Sequence, residues 1–408
     1  MHPATEAILI YNQGRDPERL TRKLAAIAAD PFAFLRGTNH LYAAAVGGEA
    51  ALIEAPVTYV CGDLHLENLG SFKGDNGLVY FDLNDFDDAL VAPLTVDLVR
   101  LLSSLMIAAP QLGLSDADAR AGAERMLDTY AAVLASGKPR WVERATATGM
   151  VATLLRRVKR RRRGELLAER TVRGGGKRRL LVDGKHALAP LKGQRKRAAA
   201  ILREFGQQSS HGRLVSDDAA RRIAGVGSLG LERYVVLAHN GDDRAAQRLV
   251  DIKRAAPSAW KSIPLRAQPR WQSEAARVVQ IQHAMQAASP ALLSAVTMDA
   301  SSYVIKGLQP TADRVNIGPH TGRTQLREVL LTMARVAAWA HLRGCGHEAA
   351  DRIEQLQEFA AGRHWRAPVL RLARHECEMA QKQWRDFAED YRVARGREGS
   401  GLRSKSKA

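Results

Sequence analysis

Apolar positions along the chain change their period in step with the punctuation residues. Near the start, Leu20, Leu24 and Ile27 recur at helical spacing behind Asp16-Pro17-Glu18, a helix-start signal. Pro31 opens a further segment, so residues 1–46 are expected as short helices. Residues 56–60 read as a short strand leading into a charged loop. The Gly74–Gly77 turn then precedes a second strand over 78–83, which predicts a hairpin. Pro93 introduces the strongly apolar run 94–109, expected as a buried helix, and two more helices follow over 115–160. Residues 170–179, with three consecutive glycines, read as a flexible connection into a β-rich middle. There, strand-like runs at 233–238 and 248–253 flank a turn. A helix over 271–286 and a strand over 301–310 come next. From 323 to 395 the pattern is helical, and 396–408 read as a disordered basic tail.

Composition places the chain among ordinary globular proteins, with 46% hydrophobic and 25% charged residues over 408 positions. Aromatic residues are only 5%, so the core must rest on Leu, Val, Ile and Ala. The three cysteines, Cys61, Cys345 and Cys377, are far apart, which excludes a disulfide framework and zinc spacing. With no secretory pattern at the start and no long uninterrupted apolar run, a cytoplasmic protein without a membrane span is expected. The net charge of +18 favours anionic partners. Part of it lies in the block 156–163, where nucleic-acid binding is the sharper reading. The block lacks interleaved aromatics, so a solvated helix face and connector is the reading preferred.

The chemistry concentrates in two places. In Gly62-Asp63-Leu64-His65-Leu66-Glu67-Asn68, an Asp and an Asn five apart on a tight loop can address one point in space. Transfer of a γ-phosphoryl group needs a carboxylate to orient the acceptor hydroxyl and oxygen ligands for Mg²⁺; Asp63 suits the first role and Asn68 the second. Asp82, Asp85, Asp87 and Asp88 follow an apolar strand, where carboxylates are costly unless a cation or hydrogen bonds compensate. Further on, Gly225, Gly227 and Gly230 form a G-x-G-x-x-G pattern with Ser228 inside it. A strand and a turn follow it, the setting of a hairpin folded over phosphates rather than of a dinucleotide fold. The next strand ends at Lys253, a candidate phosphate ligand, and Glu274 is the one acidic candidate to partner that lysine from the following helix.

These segments resemble the protein-kinase superfamily, specifically the aminoglycoside and choline kinase-like group. Gly62–Asn68 is similar to its catalytic loop, and Asn84–Leu101 to its metal-binding segment and following helix. The resemblance implies Asp63 as catalytic base, Asn68 and Asp85 as metal ligands, and Asp97 as a brace beneath the catalytic loop. Asp82 is the rival to Asp85. Cys61 stands where that group usually has a histidine. The order is permuted, because the catalytic loop precedes the Gly-rich loop, and residues 339–347 resemble the helix end that normally leads into a catalytic loop. Most of the chain also resembles an uncharacterised bacterial family, domain of unknown function 2252.

The expectation is therefore an α+β, protein-kinase-like bilobal fold. Residues 1–165 and 313–395 would form the helical lobe and 166–312 a β-rich nucleotide lobe. ATP and Mg²⁺ are the expected cofactors, and the acceptor is an unidentified hydroxyl on a small molecule or protein. The alternatives are an ATP-binding pseudokinase or nucleotidyl transferase, and a basic nucleic-acid-binding or regulatory protein.

Overall fold

The computed structural model describes residues 1–241, 243–263, 265–310 and 313–405, with side chains through residue 395. The N-terminal region is built from short helices: α1 (Pro3–Tyr11), α2 (Pro17–Ala29), α3 (Pro31–Gly37), α4 (Asn39–Val46) and α5 (Ala50–Ile53). Asp16 caps α2 by accepting from the Arg19 N–H at 3.0 Å, and Asp30 caps α3 through Phe32 and Ala33. Each cap is followed by a proline, the residue best preset for a first helical turn.

Four short strands follow: β1 (Val57–Val60), β2 (Leu69–Lys73), β3 (Val79–Leu83) and β4 (Leu90–Pro93). β1 pairs with β4 and β2 with β3, both antiparallel, so the loops β1–β2 and β3–β4 emerge together. The helices α6 (Thr95–Ala108), α7 (Asp116–Ser136) and α8 (Gly149–Arg160) come next. The window Thr95–Leu112 is apolar and long enough to cross a membrane by composition, and 83% of it is buried inside this protein, as expected of a core helix.

Then come α9 (Arg163–Arg170), β5 (Thr171–Gly174), β6 (Lys177–Leu180), β7 (Ala187–Leu188) and α10 (Gln194–Gln208). The triple-glycine stretch expected as a flexible connection is instead the turn of the β5–β6 hairpin. Gly175 and Gly176 have φ of 57° and 73°, the positive values that a tight two-residue hairpin turn demands at both central positions. The strands β8 (Leu214–Arg222), β9 (Arg233–Asn240) and β10 (Asp243–Arg254) lead to α11 (Glu274–Met285), β11 (Ser294–Met298) and β12 (Ser301–Gly307). They form a six-stranded antiparallel sheet in the order β11-β12-β10-β9-β8-β7. α10 covers one face with Ala198, Ile201, Leu202 and Phe205, an apolar stripe at helical spacing.

The helices α12 (Arg323–Gly344), α13 (Ile353–Ala361) and α14 (Arg366–Lys405) return to the helical body. α14 continues through most of the segment expected as a tail, since each added helical residue gains a hydrogen bond from the turn before it; residues 406–408 of that expectation lie outside the described residues. The chain is thus mixed α+β, a mainly helical body that carries the β1–β4 and β2–β3 pairs and a region built on the six-stranded antiparallel sheet, each with its own apolar cluster.

Candidate active site

A loop that is to hold a reactive carboxylate must first be held itself. Here the holding group is Asp97, in the first turn of α6 and fully buried. Its two carboxylate oxygens accept from the backbone N–H groups of Cys61 and Gly62, each at 2.9 Å. His341 of α12 approaches the same carboxylate at 3.1 Å through Nε2, and its Nδ1 lies 2.7 Å from the Tyr130 hydroxyl. From above, the indole N–H of Trp260 donates to the Gly62 carbonyl at 2.8 Å. Gly62 itself has φ of 73°, and a Cβ there would run into the Asp88 carbonyl oxygen, so the sharp turn needs glycine.

Asp63 follows and is one-fifth exposed. Its carboxylate accepts from Nε of Arg100 at 2.9 Å, and Arg100 is only 1% exposed, with its guanidinium 4.8 Å from the Tyr42 ring centre. The same guanidinium donates to the Leu35 carbonyl and lies 3.7 Å from Glu376. Burial pushes the Asp63 carboxyl up to about 8, although Arg100 pulls the other way. Burial likewise raises Glu376 to about 7.

The two loops are stapled by Asn68. Its Nδ2 donates to the carbonyls of Asp63 and Asp85, and its Oδ1 accepts the Asp85 N–H at 2.6 Å. Asp85 and Asp87 face the cleft and share one cation. Lys253, near the end of β10, is ion-paired with Asp87 and sits 3.9 Å from Asp85. Burial raises the Asp85 carboxyl, but Lys253 and Lys306 more than offset it and hold it below the usual range. For Asp87, burial and then the Asp85 charge win over Lys253, and its carboxyl is raised. Asp88 is committed to structure, accepting from Asn39 and from the Ala259 N–H.

Asp82, the rival ligand, points away from the cleft. It accepts from Ala287 and Leu83 and pairs with Arg343, and it is 2% exposed. The alternation of β3 puts it on the opposite face. Glu274 is not beside Lys253: it pairs with Arg277 at 2.8 Å, one turn along its own helix. Its place at the first residue of α11 puts it within reach of that neighbour rather than of β10.

The glycine loop 225–230 joins the paired strands β8 and β9 and closes over the carboxylates. The helical body grips it from below. Arg15 donates to the carbonyls of Gly227 and Leu229, and the fully buried Lys23 donates to Gly227 at 2.8 Å. At Gly230, with φ of 96°, a side chain would collide with Arg15. Arg36 pairs with Glu67 of the Gly62–Asn68 loop at 2.7 Å. One pocket is therefore lined by Asp63, Asn68, Asp85 and the loop residues Gly225, Gly227 and Ser228 together, although Asp85 and Gly225 are 140 positions apart in the chain.

A second arm of the cleft opens from Asp85 and Lys253 towards β12. On its walls Ser71 Oγ, Asn84 Oδ1, Gln282 Nε2 and Gln309 Nε2 are buried and have no hydrogen-bond partner among the described residues. Such groups each cost free energy when left unmade. Lys306 also faces this arm, and burial lowers its ammonium to about 8. Sequence reasoning missed Arg100, Lys23, Lys306 and Gln282. A charge three residues after Asp97 inside an apolar helix was the available signal for Arg100; Lys23 and Gln282 look like ordinary helix-surface residues in the sequence.

Among the described residues no three His, Cys, Asp or Glu groups converge into a preformed metal cage. The donors are hard oxygens on the cleft walls, which suits Mg²⁺, a cation that keeps several waters and binds through one or two carboxylates plus phosphate oxygens.

A family model described as "Uncharacterized protein conserved in bacteria (DUF2252)" matches residues 15–390. No curated protein and no solved structure matches the chain.

Proposed function

We propose that this chain, which belongs to the bacterial family DUF2252, is an ATP- and Mg²⁺-dependent phosphotransferase acting on a hydroxyl acceptor. The observation that carries the reading is the convergence of Asp63, Asn68 and Asp85 with the glycine loop and Lys253 on one cleft. Those parts are what phosphoryl transfer asks for: a phosphate-covering loop, a lysine for the phosphates, oxygen ligands for the metal and a carboxylate for the nucleophile.

In this reading the phosphates lie under Gly225–Gly230, where Lys253 exchanges Asp87 for phosphate oxygens. The base enters the second arm, where Ser71, Asn84, Gln282 and Gln309 have donors and acceptors to spare. Mg²⁺, when bound against Asp85 and Asn68, would neutralise charge building on the phosphates. Asp63 aligns the acceptor hydroxyl and takes its proton. A carboxyl held near 8 by burial is matched to that task at neutral pH, and Arg100 fixes its direction.

The likeness to aminoglycoside and choline kinase-like enzymes, with permuted segments, belongs to the same proposal. Its support is the end of α12, which abuts the start of β1. Thr58 donates to the His341 carbonyl at 2.9 Å, and Asp351 bonds Val57 through both backbone and side chain. Residues 339–347 thus stand beside the strand they would precede in an unpermuted chain. A second reading, ATP binding without transfer, is favoured by one fact: Asn68 Oδ1 already accepts the Asp85 N–H.

The test is release of ADP from ATP with Mg²⁺ across a panel of hydroxyl acceptors. Acceptor-stimulated release by the wild type, absent in Asp63→Asn, supports transfer. Tight ATP binding with no release under any acceptor favours the second reading.

A further inference from the structure

Between Arg156 and Arg197 the chain carries seventeen Lys and Arg against three Asp and Glu, which accounts for +14 of the net +18. The rest of the protein is close to electrical balance. This stretch forms the end of α8, α9, the β5–β6 hairpin, β7 and the start of α10. Some of its cations serve the fold: Arg161 pairs with Asp313, Arg195 with Asp218 and Arg197 with Glu232. Arg160, Arg163, Arg173 and Lys177 are exposed and make no ion pair among the described residues.

The hairpin register sorts the remaining side chains. Thr171 and Leu180 pair with each other and are buried, so they define the inner face. Successive residues alternate, which places Val172 with its partner Arg179, itself 4.0 Å from Asp218, and then Lys177, without an ion pair among the described residues, on the outer face. The Leu181 N–H donates to the Arg170 carbonyl at 2.9 Å, extending the ladder by one residue and adding Leu181 to that side. Val172 is 49% exposed and Leu181 38%, and Val182, the next residue, is exposed as well. Aliphatic side chains standing in water among unpaired cations are costly unless something covers them. The covering surface must be anionic and must accept apolar groups. Nucleic acid meets only the first condition, and the stretch has no Phe, Tyr or Trp on which a base could stack. A bilayer with acidic headgroups meets both.

We infer that the outer face of the β5–β6 hairpin, with the cations around it, docks this protein on an anionic phospholipid surface. The inference stands apart from the phosphotransferase reading, since neither the cleft carboxylates nor the glycine loop takes part.

The test is flotation of the full chain with phosphatidylcholine vesicles that contain or lack phosphatidylglycerol, with a duplex RNA as competitor. The wild type should float only with the acidic vesicles, and RNA should not displace it. Val172→Ser with Leu181→Ser should lose most of the flotation at an unchanged melting temperature. Lys177→Glu, at the exposed hairpin turn, provides a variant that disturbs no packed side chain. Each charge removed there should weaken partitioning about fivefold. Absence of flotation with acidic vesicles overturns the inference. So does wild-type flotation by the apolar double variant, or unchanged flotation of Lys177→Glu. Displacement by duplex RNA assigns the surface to nucleic acid instead.

Discussion

The two sides of the cleft are finished to different degrees. On the side of the Gly62–Asn68 loop the groups that fix the loop are bonded to one another, while Arg36 Nε and Asn39 Oδ1 at its edge have no hydrogen-bond partner among the described residues. Asp97 takes two backbone donors and His341, Arg100 fixes Asp63, and Asn68 ties both loops together. On the side facing β12, Ser71, Asn84, Gln282 and Gln309 each keep a buried polar atom unmatched. Groups bonded to one another hold a geometry, whereas buried groups left unmatched have bonds to offer a ligand. In the proposed phosphotransferase reading the first side holds the chemistry and the second receives the nucleotide.

The comparison can be broken from either side. The largest effect is expected at Asp63. Asp63→Asn should reduce turnover by about 10²–10⁴ while sparing ATP affinity, as loss of a positioned base does. With its carboxyl held near 8, activity should climb with pH through that value. Stability should move the other way. The native pKa lies above the ordinary value of about 4, so the native state keeps the proton longer than the unfolded chain. That contribution is fully present below about pH 4 and is lost as pH rises through 8; urea titrations across this range should show a smaller loss in Asp63→Asn.

Next in size is the brace. Asp97→Ala strands two buried backbone donors at about 1–3 kcal/mol each, so unfolding in urea should reveal a cost of about 3 kcal/mol or more. On the other side of the cleft, Gln282→Met should do the reverse. Removing an unmatched amide leaves the free protein as stable as before or more so, while ATP binding weakens by about 1 kcal/mol, measurable by calorimetry. If Gln282→Met destabilised the free protein as Asp97→Ala does, the distinction between the two sides would fail. Smallest of all, Glu274→Ala should leave ATP affinity unchanged and alter stability by no more than about 1 kcal/mol, since its partner is Arg277 on the same helix.

The side carrying the Gly62–Asn68 loop was the more legible in the sequence. Asp63, Asn68 and Asp85 lie within about two dozen residues, on loops whose flanking strands announce themselves by apolar runs and turn glycines. Asp97 was legible only through the resemblance to the kinase-like group, whose pattern places an Asp on the helix after the metal-binding segment. The opposite side was legible only in its glycines and Lys253. Gln282 and Lys306 carry no local pattern; their meaning comes from a sheet that folds β12 beside β10 and brings α11 over it. The same holds for Lys253, whose carboxylate partner was sought on the next helix and lies 166 positions earlier, in Asp87. The triple glycine shows the opposite failure, since composition suggested slack where backbone geometry required a tight turn.

The central claim, that two distant segments make one nucleotide site, is tested most directly by melting the protein with and without ATP and Mg²⁺. Wild type, Asp85→Ala and Lys253→Ala are compared. Ligand at about 100 times its dissociation constant adds roughly 2.7 kcal/mol, which a melt resolves. The account predicts a Mg²⁺-dependent rise for the wild type that both substitutions abolish. A wild type unmoved by nucleotide, or a rise that survives in both variants, would contradict it.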